Sequence, residues 1–278
     1  METETITLQT PARTGYTFEG WYAEAALTTK VTEIAKGSTG DRTFYAKWSI
    51  VKYSVTYKLN GGKNNANNPT TYDVTSDEIA LKNATRTGYT FSGWYTEDGA
   101  KGKVSRINRG STGHIVLYAH WTANKYTIVL NGNGATSGTM AKRTATYDKA
   151  LKLPTNTYKR TGYTFNGWNT RKDGKGKAYK NKASVKNLSA KAGAKVTLYA
   201  QWKPVKYKIT YKLNGGKNNS GNPKTYDVTT ATIKLKTPTK KGYTFAGWFS
   251  DSKFKKKVTQ IAKGSTGNRT LYAKWVKK

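Results

Sequence analysis

The 278-residue chain has no cysteine, two histidines, six prolines and 15 carboxylates, and each scarcity removes a class of chemistry. Without thiols there is no disulfide framework, no thiolate nucleophile and no cysteine-held zinc or iron–sulfur centre. Two histidines, His114 and His120, give a nitrogen-ligated metal site nothing to build on. No acidic pair recurs at one position of the pattern described below, so glycosidase-like or aspartic chemistry has no support. No run of about 20 apolar residues could span a membrane, and nothing after Met1 resembles a secretion signal. Any signal or anchor is expected outside this stretch. No cofactor, no metal, no small-molecule substrate and no catalysis are expected.

Lysine and arginine are abundant instead. They total 49 against 15 acidic residues, a formal net charge of +34. A field of that sign favours polyanions such as nucleic acid, anionic glycans, teichoic acids or anionic lipid, or it serves solubility alone.

The eight tryptophans all fall in two recurring patterns. One is Gly15-Tyr-Thr-Phe-Glu-Gly-Trp21, which returns at Gly88–Trp94, Gly162–Trp168 and Gly242–Trp248. The other closes each unit at Tyr45-Ala-Lys-Trp48, Tyr118-Ala-His-Trp121, Tyr199-Ala-Gln-Trp202 and Tyr272-Ala-Lys-Trp275. The two tryptophans of a unit are 27 apart in three copies (48 − 21, 121 − 94, 275 − 248) and 34 apart in the third (202 − 168), an insertion of seven between Asn169 and Val196. The reading is four tandem modules: a truncated first copy at 1–48, then 49–121, 122–202 with the insertion, and 203–278. A period of this length suits a small domain with its own core.

Within a copy, Tyr53, Val55, Tyr57 and Leu59 alternate with Ser54, Thr56 and Lys58, and Tyr207 to Leu213 repeats the pattern, which predicts a half-buried strand. Asn60-Gly61, Asn131-Gly132 and Asn214-Gly215 follow as tight-turn signals, since both residues tolerate positive φ. A second β-rich stretch is expected over Thr71 to Leu81 and Thr225 to Leu235. A short helical turn is expected near Val31 to Lys36 and Val258 to Lys263. Copy one lacks the opening strand, is read as beginning at the edge of a fragment, and is expected to be the least stable. Asn131-Gly-Asn-Gly134 is read as a turn rather than a phosphate loop, having no following helix pattern.

The recurring Tyr, Phe and Trp residues are assigned to core packing over sugar stacking. His114 aligns with Asp41 and Asn268, and His120 with Lys47, Gln201 and Lys274, which is poor company for a catalytic base. The candidate contacts are loop cations expected to bind polyanions: Lys101, Lys103, Arg106 and Arg109 in copy two; Arg171, Lys172, Lys175 and Lys177 in copy three; Lys253, Lys255, Lys256 and Lys257 in copy four. The alternative is that these loops are merely solvated.

The sequence Gly-Tyr-Thr-Phe-x-Gly-Trp, followed by Lys-Gly-Ser-Thr-Gly and Leu-Tyr-Ala-Lys-Trp, resembles the Listeria/Bacteroides repeat, the internalin B B-repeat family. That resemblance implies a mainly β module (α+β, β-grasp-like), tandem arrays in bacterial cell-surface or secreted proteins, stalk or adhesive roles, and other surface modules in the same parent chain. It offers no catalytic residue to carry over. The partners expected are anionic glycans or cell-wall polymers, with a spacer lacking any ligand and a non-specific nucleic-acid-binding array as rivals. The linkers Ser49 to Lys52, Thr122 to Lys125 and Lys203 to Lys206 are short, so an elongated, monomeric rod is expected.

Overall fold

The computed structural model describes residues 4–278. The chain divides into two compact units, one running to Asn124 and including Ala190–Ala192, the other holding Lys125–Ser189 and Gly193–Lys278. Each unit contains two copies of the repeat, and copy two shows the plan.

Its opening strand, Tyr53–Lys58, buries Val55 and leaves Ser54, Thr56 and Lys58 exposed, as the alternation requires. The motif strand Tyr89–Tyr95 and the closing strand Ile115–Ala123 pair antiparallel, and the closing strand pairs parallel with the opening one. Two short edge strands, Lys103–Val104 and Thr71–Tyr72, complete a five-stranded sheet in which the closing strand is central. A parallel pair demands a crossover. Here the crossover contains a separate two-stranded ladder, Ile79–Ala80 with Arg106–Ile107. Copies three and four repeat the five-stranded order and the small ladder, while copy one has a three-stranded sheet and the ladder Ile6–Thr7 with Glu33–Ile34.

The module is therefore mainly β. The segments read as a helical turn are strands: Lys30–Val31 and Glu33–Ile34 in copy one, Lys257–Val258 and Gln260–Ile261 in copy four. Val31 and Ile34 are three apart, which mimics a helical period. They instead join two different sheets, Val31 opposite Trp21 and Ile34 opposite Ile6. The stretch Thr71 to Leu81 likewise resolves into two strands in different sheets, Thr71–Tyr72 and Ile79–Ala80.

Each complete copy has its own core. In copy two it gathers Val55, Tyr72, Trp94, Ile107, Leu117 and Ala119, and the other two clusters are built from the corresponding strands. The phenylalanine of the motif stands between the two tryptophans: Phe91 meets Trp94 at 5.3 Å and Trp121 at 5.2 Å, edge to face. The first tryptophan is fully buried in copies two, three and four, and the second is part-buried. In copy two both use the ring N–H structurally: Trp94 Nε1 donates to Lys82 O at 3.0 Å and Trp121 Nε1 to Leu59 O at 3.0 Å. In copy one only Tyr22 is buried among the described residues of its hydrophobic set.

The second glycine of the motif marks a β-bulge. The register shifts between Phe91 and Gly93, and Gly93 has φ 139°, a conformation that L side chains rarely adopt.

Copy three departs in two ways. Its turn falls on Asn133-Gly134, with φ values of 47° and 84°, and not on Asn131-Gly132. The equivalence is fixed by contacts: Asn60 Nδ2 donates to Ala119 O and Asn133 Nδ2 to Ala200 O. Its seven extra residues are also not one loop. Trp94 to Val104 spans ten positions where Trp168 to Tyr179 spans eleven, Val104 to Ile107 three where Tyr179 to Val185 spans six, and Ile107 to Leu117 ten where Val185 to Leu198 spans thirteen.

Burial also sets two phenols apart. Tyr57 and Tyr211 donate their hydroxyls to Pro69 O and Pro223 O at 2.9 and 3.0 Å, and desolvation pushes both up to about 12. Because the folded value is raised, their contribution to stability is fully present below about pH 10, the unfolded value, and is lost as pH rises through 12. An ultraviolet absorbance titration is expected to show a late-ionising pair that disappears in Tyr57→Phe/Tyr211→Phe. Its persistence in that variant would refute the assignment.

Candidate functional site

The loop between the motif strand and the next short strand carries most of the predicted cations, and in copies three and four a polar side chain organises it. In copy four Asp251 accepts backbone N–H groups from Lys253, Lys255 and Lys256, which hold its carboxyl below the usual range. A partly exposed carboxylate ringed by such backbone donors orders the loop while leaving the lysine heads exposed. In copy three the fully buried Asn169 does the same work: its Oδ1 accepts from Arg171 and Gly176, and its Nδ2 donates to Gly174 and Gly176. Asp173 adds an acceptor for the Lys175 N–H at 3.0 Å. In copy two the loop is closed by Thr96 N–H to Gly102 O and Glu97 N–H to Lys101 O.

Of the twelve predicted cations, Arg106 pairs with Glu78 at 3.0 Å and Arg171 with Asp173 at 3.2 Å. The other ten have no ion pair among the described residues. They are not one cluster. Arg106 lies in the small ladder and Arg109 in the turn beyond it, whereas Lys103 and Lys257 lie on the short edge strand of the main sheet. Lys177 stands 5.6 Å from the ring centre of Tyr179.

Lys103 and Lys257 line a groove that recurs in three copies. Its wall is the Phe-x-Gly-Trp stretch of the motif strand, its rim the short edge strand. It measures about 190 Å³ in copy two, 250 Å³ in copy four and 320 Å³ in copy one, where Lys30 takes the lysine position. A hydroxyl follows two residues on in each: Ser105, Thr259 and Thr32. The lysine stem lies against the bare bulge glycine, since a methyl added at Gly93 or Gly247 would meet the Lys103 or Lys257 Cε at 2.7 Å. A lysine, a nearby hydroxyl and an aromatic flank are suited to a single anionic group held as a point charge in copies two and four, whereas in copy one Glu19 also lines the groove.

Lys30 is absent from the predicted set, although Lys30-Val31 occupies the same place as Lys103-Val104 and Lys257-Val258; aligning the Lys-Val pairs would have found it. In copy three the pairing puts Ala178 where Lys103 stands and Tyr179 where Val104 stands, and the Tyr179 carbonyl closes over Gly167.

Other cations are structural. Arg13, Arg86, Arg160 and Lys240 each stack on the first tyrosine of the motif at 3.8 to 4.3 Å. Arg86 and Lys240 also donate to Asn60 O and Asn214 O at 2.7 Å, tying the turn to the motif. The histidines have local duties too. His114 Nδ1 receives the Ser54 N–H at 3.0 Å, as Asn268 Oδ1 receives that of Lys208 at 2.9 Å, and His120 packs edge-on against Tyr95 at 4.8 Å.

Repeated sheets, cores and motif grooves define a tandem array of small β modules. More narrowly, the chain belongs to the Listeria-Bacteroides repeat family, whose domain matches residues 1–47, 53–120, 126–201 and 207–274. A protein of Evansella cellulosilytica named as a Gly-rich membrane protein is 33% identical over 222 residues, covering 73% of this chain and 25% of that protein. Internalin H of Listeria monocytogenes is 34% identical over 122 residues, covering 41% of this chain and 20% of its own length. The chain thus spans about a quarter or less of these two relatives. Among the described residues, no helix is long and apolar enough to cross a membrane.

Proposed function

We propose that this chain is a repeat segment of a bacterial cell-surface or secreted protein, serving as a stalk and holding anionic glycans or cell-wall polymers through its loop cations. The relatives named as a membrane protein and an internalin support the location. The observation that carries the binding is a set of six exposed cations, Lys172, Lys175, Lys177, Lys253, Lys255 and Lys256, that have no ion pair among the described residues and stand on loops ordered by Asn169, Asp173 and Asp251. Preordered loops spend little entropy on contact, and a cation without an ion pair has no carboxylate to give up. Binding of this kind is electrostatic, tolerant of sequence and steeply weakened by salt.

The test is retention on immobilised heparin across a salt series. The loop variant changes Arg171, Lys172, Lys175, Lys177, Lys253, Lys255, Lys256 and Lys257 to Ser, taking the net charge from +34 to +26 (34 − 8). A control changes eight exposed cations elsewhere: Lys52, Lys58, Lys125, Lys152, Lys203, Lys206, Lys208 and Lys212. The loop variant is expected to elute at clearly lower salt than the control. Equal losses would reduce the binding to bulk charge, no retention of the parent at physiological salt would leave a spacer, and stronger capture by DNA would favour the nucleic-acid reading.

A further inference from the structure

The first glycine of the motif sits at the third position of a tight turn: Tyr16 N–H donates to Arg13 O at 3.0 Å and Gly15 has φ 78°. Its missing side chain is filled from the following copy. A Cβ on Gly15 would lie 2.5 Å from Val74 Cβ and 2.7 Å from its Cγ1. The same contact joins copies three and four, where a Cβ on Gly162 would collide with Val228.

Both valines belong to a Tyr-Asp-Val-Thr loop held rigid by its aspartate. Asp73 Oδ1 accepts the Thr75 N–H and hydroxyl at 2.9 and 2.7 Å, and Asp227 Oδ1 those of Thr229 at 2.8 and 2.6 Å. A third feature fixes the approach. The linker leaving each copy bonds to the same glycine carbonyl: Val51 N–H to Gly15 O at 3.0 Å and Val205 N–H to Gly162 O at 2.9 Å.

Copy four presents the same turn. Tyr243 N–H donates to Lys240 O at 3.2 Å, Gly242 has φ 79°, and Lys278 N–H reaches Gly242 O at 3.2 Å, so the exit direction is already set. Among the described residues nothing lies within 4 Å of where a Cβ on Gly242 would stand. We infer that the Gly242 turn is a docking surface for the Asp-Val-Thr loop of a further repeat of this kind, the valine seating on the bare glycine as Val74 and Val228 do. A β-branched side chain has few rotamers to lose on such a contact, and a turn that requires positive φ keeps the surface free of a Cβ.

The experiment extends the chain after Lys278 by a second copy of residues 206–278. In the extended chain, NMR is expected to show a cross-peak between the appended valine methyls and the Gly242 Hα. Amide exchange in copy four should slow by about tenfold, the factor that burying a pair of methyls implies. Replacing the appended valine by Ser should abolish both effects while the appended module keeps its ring-shifted aromatic signals. Val74→Ser, in the chain as it stands, should speed exchange in copy one by a similar factor. A folded appended repeat with no cross-peak and no change in copy-four exchange would overturn the docking surface; exchange in copy one unaffected by Val74→Ser would overturn the latch itself.

Discussion

Trp94→Ala is expected to destabilise copy two by about 3–5 kcal/mol, enough to unfold that module. Trp94 is 2% exposed, meets Phe91 and Tyr57 edge to face at 5.3 and 5.1 Å, and donates its ring N–H to Lys82 O. Truncation removes the transfer energy of the indole, leaves a cavity that Phe91 and Tyr57 cannot jointly fill, and orphans an acceptor. Exchange-resolved stability of copy two against copy four measures the loss, and a cost under about 1 kcal/mol would show that the indole is not the keystone of the core.

Copy three supplies the internal comparison. Trp168 is fully buried, yet its Nε1 has no hydrogen-bond partner among the described residues. Strand pairing explains this. Leu151 opposite Val185 corresponds to Ile79 opposite Ile107, so Pro154 falls where Lys82 stands, and the path to the motif glycine is eight residues (162 − 154) where copy two needs six (88 − 82). The carbonyl that receives the indole in the other copies is displaced. Trp168→Phe should therefore cost about 1–3 kcal/mol less than Trp94→Phe, because it removes an unsatisfied donor and not a satisfied one. Equal costs would contradict the comparison.

These particulars mark where the sequence is readable. The alternation from Tyr53 to Leu59 gave the opening strand, and the invariant Gly, Phe and Trp of the motif gave a core, because side-chain period and burial are local consequences of sequence. Two-residue strands leave no period to read, so Val31 and Ile34 mimicked a helical turn. The Asn131-Gly-Asn-Gly134 run offered two turn registers, and only the long-range bond from Asn133 to Ala200 selects the second. The basic loops were visible as composition. That Lys30, Lys103 and Lys257 share one groove position was not, since it depends on which strand the Lys-Val pair joins. The polar, asparagine-rich stretch 217–223 has no alternation to read, although one of its members is buried.

That residue carries the second large effect. Asn222 is 6% exposed; its Nδ2 donates to Asn218 Oδ1 and Lys236 O, both at 2.9 Å, and its Oδ1 accepts the Lys236 N–H at 2.8 Å. Lys236 O also receives the Trp248 indole at 3.1 Å, so one backbone position joins the loop to the core. Copy two repeats this through Asn68 and Lys82, whereas in copy three a proline has no N–H to offer. Asn222→Asp keeps the acceptor and deletes the donor, setting a carboxylate against the Lys236 carbonyl in a site closed to water. At neutral pH the expected cost is about 3 kcal/mol. Burial and the facing carbonyl raise the folded pKa of the new acid above its unfolded value of about 4. Relative to wild type, the variant's stability is thus nearly restored below pH 4, where the neutral acid donates to the Lys236 carbonyl, and is lost as pH rises through the folded pKa. Asn222→Ala, which cannot ionise, should be destabilised about equally at both ends. Unfolding of all three proteins at pH 3 and pH 7 decides it: an Asp variant whose deficit does not shrink on acidification would mean that the Asn222 amide is not the donor holding this loop to the core.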